Sequence, residues 1–186
     1  MIYPHNFEYK IEFDRIRTLV AQNCLSTLGK EKVDEMQFST SFSEITLNLN
    51  RVEEFVRILN EEDSFPSDYF YDIRSMLKRI RVVGSWIDPE SLFQLKRSLQ
   101  TINAIVAFLN KEEDDNPTYP HLLSLSTHVV VFPEVAKQID AIVDAYGKIR
   151  DNASAELASI RRQLSSAINN ISKSMNSILR SAQASG

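Results

Sequence analysis

From residue 147 to residue 179 the sequence carries no proline and no glycine after Gly147, and within that run Leu157, Leu164, Ile171 and Ile178 recur at seven-residue intervals. Ala153, Ile160, Ala167 or Ile168, and Met175 fill the neighbouring stripe. A narrow apolar seam of this kind belongs to a long helix that lays one face on a partner helix. At 1.5 Å per residue, a helix of roughly 30 residues is about 45 Å long, more than a small domain is wide. The sequence ends inside the pattern, so the expectation is a coiled-coil-like arm leaving a helical body and continuing past Gly186.

The rest of the chain must then supply that body. A length of 186 residues suffices for a real core, and 43% hydrophobic with 25% charged residues is ordinary for a soluble globular protein. Only 4 glycines and 6 prolines favour long regular elements over tight turns. A net charge of −4 gives no global attraction for nucleic acid phosphates. Cys24 is the single cysteine, which excludes an internal disulfide framework and a cysteine-based zinc site. The first residues lack a charged segment followed by an apolar run, and no apolar stretch is long enough to span a bilayer. No membrane partner is expected, and a reducing cytoplasm is the expected setting.

Helix signals follow one another along the body. Phe13, Ile16, Leu19 and Val20 share one face, with Asp14 as a candidate cap. Ser26 opens a second, short helix, and Gly29 within it marks close packing, since a glycine there otherwise weakens the helix. Gly29-Lys30 lacks the upstream glycine and the following Ser or Thr of a phosphate loop. Ser41-Phe42-Ser43-Glu44 is a capping-box pattern, followed by Ile45, Leu49, Val52, Phe55 or Val56, and Leu59 at helical period. Asp72 leads into Ile73, Met76, Leu77 and Ile80, a helix expected to end near Val83-Gly84, with Trp86 beyond it as a core or hinge aromatic. Asp88-Pro89-Glu90 is a strong helix start, and Leu92, Leu95, Leu99, Ile102 and Leu109 keep one face apolar. The acidic run 112–115 reads as an exposed connector. Pro133-Glu134 opens another helix, with Val135, Ile139, Ile142 and Val143 inward and Gly147 as its terminal left-handed residue.

Chemistry-bearing constellations are missing from this list. Lys78, Arg79 and Arg81 have no interleaved aromatics and read as the wet face of a helix. His121 and His128 lack a partner at metal-ligand spacing. No nucleophile stands beside a recognisable base, so the expectation is no catalytic, cofactor-binding or metal residue in this chain. The fold class expected is all-α: a multi-helix core over residues 1–150, then the base of a long arm over residues 151–186.

Several of these segments resemble a known family in the same order. Gly147-x-Ile149-x-Asp151-x-Ala153-Ser154-x-x-Leu157-x-x-Ile160-Arg161 resembles a signature of the MutS type 2 proteins, the second bacterial branch of the MutS mismatch-repair ATPases. Ile11-Glu12-Phe13-x-x-Ile16 is similar to the family's opening, and Ser26-Thr27-Leu28-Gly29-Lys30 to its Ser-x-Leu-Gly-Lys segment. Asp72-Ile73, Leu77, Arg79, Ile87-x-Pro89-Glu90 and Leu92 fall between them in the expected order.

The resemblance implies an N-terminal core (lever) region of a longer protein. In the family this region precedes a DNA-embracing clamp, an ATPase domain using ATP and magnesium, and usually a nuclease domain. It implies DNA as a partner through the clamp, the collided ribosome in some lineages, and a homodimeric parent. This chain holds no nucleotide-phosphate loop, so no catalytic residue carries over and no cofactor is expected within it. What carries over is an elbow between core and arm: Gly147, Asp151, Ala153, Ser154 and Arg161, ahead of the seam Leu157, Ile160, Leu164, Ile171, Met175 and Ile178. The elbow either passes nucleotide-driven movement toward the clamp or only fixes the arm's exit angle. The competing reading is a free-standing helical interaction module that dimerises through the heptad helix.

Overall fold

A computed structural model describes residues 6–184, and its regular elements are helices apart from one short hairpin. The elements are α1 (Phe7–Lys10), α2 (Phe13–Gln22), α3 (Thr27–Asp34), α4 (Phe42–Glu61), α5 (Arg74–Arg79) and α6 (Pro89–Leu109). A two-strand hairpin, β1 (Glu112–Glu113) and β2 (Asn116–Pro117), then leads to α7 (Pro120–Ser126), α8 (Pro133–Ile142) and α9 (Ala155–Ala184). The all-α expectation holds, long C-terminal helix included.

Three starts follow directly from side chains that accept otherwise unsatisfied N–H groups of a first turn. The Ser26 hydroxyl accepts from Gly29 N at 3.0 Å, Ser41 from Glu44 N at 3.4 Å, and the Asp88 carboxylate from Ser91 N at 2.8 Å. The box at Ser41 is half-formed, because the Glu44 carboxylate takes the Ser39 hydroxyl instead of reaching back to Ser41 N. Asp14 does not cap α2. Glu12, at φ 58°, occupies that position, and Asp14 lies in the first turn. Gly29 sits where a Cβ would come 3.3 Å from the Cys24 Cβ, which accounts for the glycine by close approach.

The first three helices form a small unit held by one arginine. Arg17 donates to the carbonyls of Val33 and Met36, at 2.8 and 2.9 Å, and to Glu8 at 3.0 Å, tying the end of α3 to α1 and α2. Arg74 then links this unit onward, bonding both Glu31 oxygens and Asp72. Those ties hold the Glu31 carboxyl below its ordinary pKa and Asp72 at about 2.

The body has two apolar centres. Ile58, Phe108, Leu109 and Tyr119 join α4, the end of α6 and the approach to α7, with Phe65 edge-on to Phe108 at 5.3 Å. Met76, Leu95, Ile139 and Val143 join α5, the start of α6 and α8. Helix α6 runs through both and is the spine of the body. Lys111 and the Tyr119 hydroxyl both bond Glu62, which lowers that carboxyl's pKa and fastens the hairpin to the end of α4.

Several sequence expectations need correction. Helix α5 has six residues and stops at Arg79, well short of Val83, because residues 80–84 form turns that end on Gly84 at φ 84°. Trp86 is 73% exposed, so it is no core aromatic. Helix α8 ends at Ile142, five residues before Gly147. Of its four expected inward residues, Ile139 and Val143 are buried while Val135 and Ile142 are exposed.

The acidic run is an ordered hairpin rather than a plain connector, with Glu113 paired to Asn116 across Asp114 and Asp115. Those two aspartates have φ values of 50° and 62°, the left-handed pair that a two-residue primed turn requires. Aspartate tolerates that region less well than asparagine or glycine. Replacing Asp114-Asp115 by Asn-Gly is therefore expected to raise stability by about 0.5–1 kcal/mol in thermal melts. A lowered melting temperature would show that the turn is not of this kind.

The elbow as candidate functional site

The junction between α8 and α9 is built on a narrow turn. Val143 bridges Ile149 in antiparallel fashion, Arg150 N donates to Ile142 O and Asp144 N to Lys148 O, both at 2.8 Å. The Asp144 carboxylate sits inside the turn and accepts from Tyr146 N at 2.8 Å and Lys148 N at 2.9 Å. These backbone donors, with Lys148 the larger effect, hold its pKa below the ordinary value. Gly147 is left-handed, at φ 82°, and a Cβ there would stand 3.3 Å from the Phe93 ring of α6. Both conformation and space therefore demand glycine. Gly147 thus belongs to this turn and does not terminate α8.

Side chains then fasten the turn to the body. Lys96, on α6, is 5% exposed along its side chain and donates to the Asp140 carboxylate on α8. Arg150 donates through Nε to the Asp140 carbonyl at 2.7 Å and lies 3.7 Å from its carboxylate through Nη2. Lys96 is the main cause of a lowered Asp140 pKa, with Arg150 adding to it. One aspartate thereby ties α6, α8 and the outgoing strand together.

The arm is fastened by a second pair. Arg161, two turns into α9, donates to Asp151 and, at 3.3 Å, to Ile149 O. Ser154, not Asp151, caps the helix, accepting from Leu157 N at 3.1 Å. The structure therefore brings Asp151 and Arg161 together, with Ala153 N donating to Arg150 O at 3.1 Å between them. An open concavity of about 740 Å³ lies here, lined by Pro89, Asp144, residues 147–152 and Arg161.

Beyond the elbow the described part of the arm is open to solvent. Leu157 is half-buried, whereas every described residue from Arg162 to Gln183 is exposed. The seam residues Ile160, Leu164, Ile171, Met175 and Ile178 all stand in the open. Sequence reasoning missed Lys96, Asp140 and Arg150. A signal was available for the first: Lys96 shares the apolar face of Leu92 and Leu99, where a cation needs a partner. Among the described residues no group of three potential ligands is placed to hold a metal ion, and no helix is long and apolar enough to cross a membrane.

No family model matches the chain. Curated relatives do. The endonuclease MutS2 of Alkaliphilus oremlandii (strain OhILAs) is 31% identical over 172 residues, covering 92% of this chain and 22% of that protein. Its counterparts in Geobacillus sp. (strain WCH70) and Staphylococcus aureus (strain MRSA252) are 29% and 30% identical over 174 and 173 residues. They match 94% and 92% of this chain and again 22% of each relative, so the chain spans about a fifth of the length of the proteins it matches. The resemblance to the MutS type 2 family therefore holds over nearly the whole chain, as a match to one part of a much longer protein.

Proposed function

We propose that this chain is the N-terminal core and lever base of a MutS2-like DNA-processing nuclease and ATPase, and that it serves as a scaffold without turnover of its own. The observation that carries the reading is a match covering 92–94% of this chain but only 22% of each relative. In this reading residues 1–150 form the body, residues 151–186 begin the arm, and ATP, magnesium, DNA and, in some lineages, the ribosome engage other parts of a homodimeric parent in the cytoplasm.

The elbow gives the scaffold its mechanical role. A 30-residue helix magnifies a small rotation at its base into a large displacement at its tip. The base is held by the Asp151–Arg161 pair and by the turn around Asp144. In the full-length protein, Asp151→Ala is expected to blunt the change in DNA affinity that accompanies ATP binding, while leaving ATP hydrolysis in place. Affinity measured with and without nucleotide checks this. If the nucleotide response is unchanged, the elbow only fixes the arm's exit angle.

A further inference from the structure

Arg97, on α6, is a cation without a counter-ion. Among the described residues it makes no ion pair, and its Nε is buried with no hydrogen-bond partner. Its guanidinium lies instead against two aromatic rings, 4.6 Å from the centroid of Tyr69 and 5.2 Å from that of Phe93, one turn earlier on α6. A leucine or methionine would fill this position without stranding a polar atom. What arginine adds is a flat charged group that fixes the orientation of both rings.

The two rings belong to different parts of the molecule. Tyr69 comes from the loop between α4 and α5, which has neither helix nor strand. Its backbone is left-handed, at φ 63°, a conformation that an aromatic residue keeps only when its contacts hold it there. The Thr101 hydroxyl, one turn beyond Arg97, donates to the Asp68 carbonyl at 2.8 Å and pins the loop beside the stack. Phe93 packs on the second apolar centre, and its ring lies over Gly147, where a Cβ would stand 3.3 Å from Cγ. Tyr69, Arg97, Phe93 and Gly147 therefore form one chain of contacts from this loop to the turn that launches the arm. The left-handed Tyr69 and the stranded Nε both raise the energy of the seated arrangement, so lifting the ring relieves both while freeing Phe93.

We infer that Arg97 is a positioning residue for the elbow and that the loop of residues 62–73 controls it. With Tyr69 seated, Arg97 is clamped on Phe93 and the Gly147 turn is held closed; with Tyr69 lifted, the base of the arm loosens. This deepens the elbow reading given above and rests on it for its purpose.

Hydrogen exchange at single amides of the 186-residue chain tests the coupling without nucleotide or DNA, so failure here is distinct from failure of the Asp151 experiment. The reporters are Asp144 N–H and Arg150 N–H, which close the turn onto Lys148 O and Ile142 O. The control is Leu123 N–H of α7, bonded to Tyr119 O and packed on the first apolar centre. Tyr69→Gly removes the ring and suits the left-handed backbone, and it is expected to speed exchange at both reporters at least about fivefold with Leu123 unchanged. Arg97→Met keeps the stem, removes the charge and the stranded Nε, and is expected to act likewise. Tyr69→Phe keeps the ring and exchanges like the parent. If Tyr69→Gly speeds all three amides alike, Arg97→Met decides. Reporters that match the parent in either variant overturn the inference. So does acceleration of Leu123 by the same factor in both, or a Tyr69→Phe chain that behaves like Tyr69→Gly.

Discussion

Replacing Glu54 by alanine is expected to destabilise the body by about 2–3 kcal/mol, a large effect for one side chain of α4. Glu54 is 8% exposed, and its two oxygens accept from His121 N at 3.0 Å and Leu122 N at 2.7 Å. These are first-turn donors of α7, a helix opened by Pro120 with no side-chain cap of its own. Glu54 therefore caps a neighbouring helix across the interface, with its negative charge at the positive end. Removing it strands two donors beside the core formed by Ile58 and Tyr119. Gln, with one acceptor oxygen and an amide that faces donors, is expected to recover less than half of the loss. Urea unfolding of the three chains measures this, and a change for Glu54→Ala below about 0.5 kcal/mol would mean that water satisfies α7 instead.

The surroundings of Glu54 explain what the sequence could and could not disclose. Local signals were readable because they act within one turn: Ser26, Ser41 and Asp88 cap the helices their spacing announced, and Pro89 starts α6. The identity of the buried face of α4 was not readable. Its apolar period points outward, and the face against α7 is built from Asn50, Glu54 and Arg57, whose partners lie some 60–70 residues away. Periodicity reports which residues share a face, and it does not say which face finds the body. Helix lengths failed where tertiary contacts decided them. Helix α8 stops at Ile142 because Arg150 N claims that carbonyl, a turn contact that apolar periodicity does not report. The turn between α8 and α9 is fastened through Lys96, on a helix some 50 residues earlier, and no local signal announces that partner.

That fastening gives the second large effect. Lys96→Ala is expected to cost about 2–3 kcal/mol, since it removes a buried aliphatic stem and leaves a void between α6 and α8. Lys96→Met keeps the volume and gives up only the ion pair, so it is expected to recover most of that loss. Asp140→Asn distinguishes charge from packing by its pH dependence. The folded-state pKa of Asp140 lies below its ordinary value of 3.8, so its ionised form stabilises the fold above that pH, and the contribution fades as pH falls through the folded value. The melting temperatures of the parent and Asp140→Asn should therefore differ most at neutral pH and converge below about pH 4. A gap that stays constant with pH would mean that Asp140 acts at the elbow by shape alone. If Lys96→Met proves as damaging as Lys96→Ala, the ion pair rather than the packed stem is what joins α6 to the base of the arm.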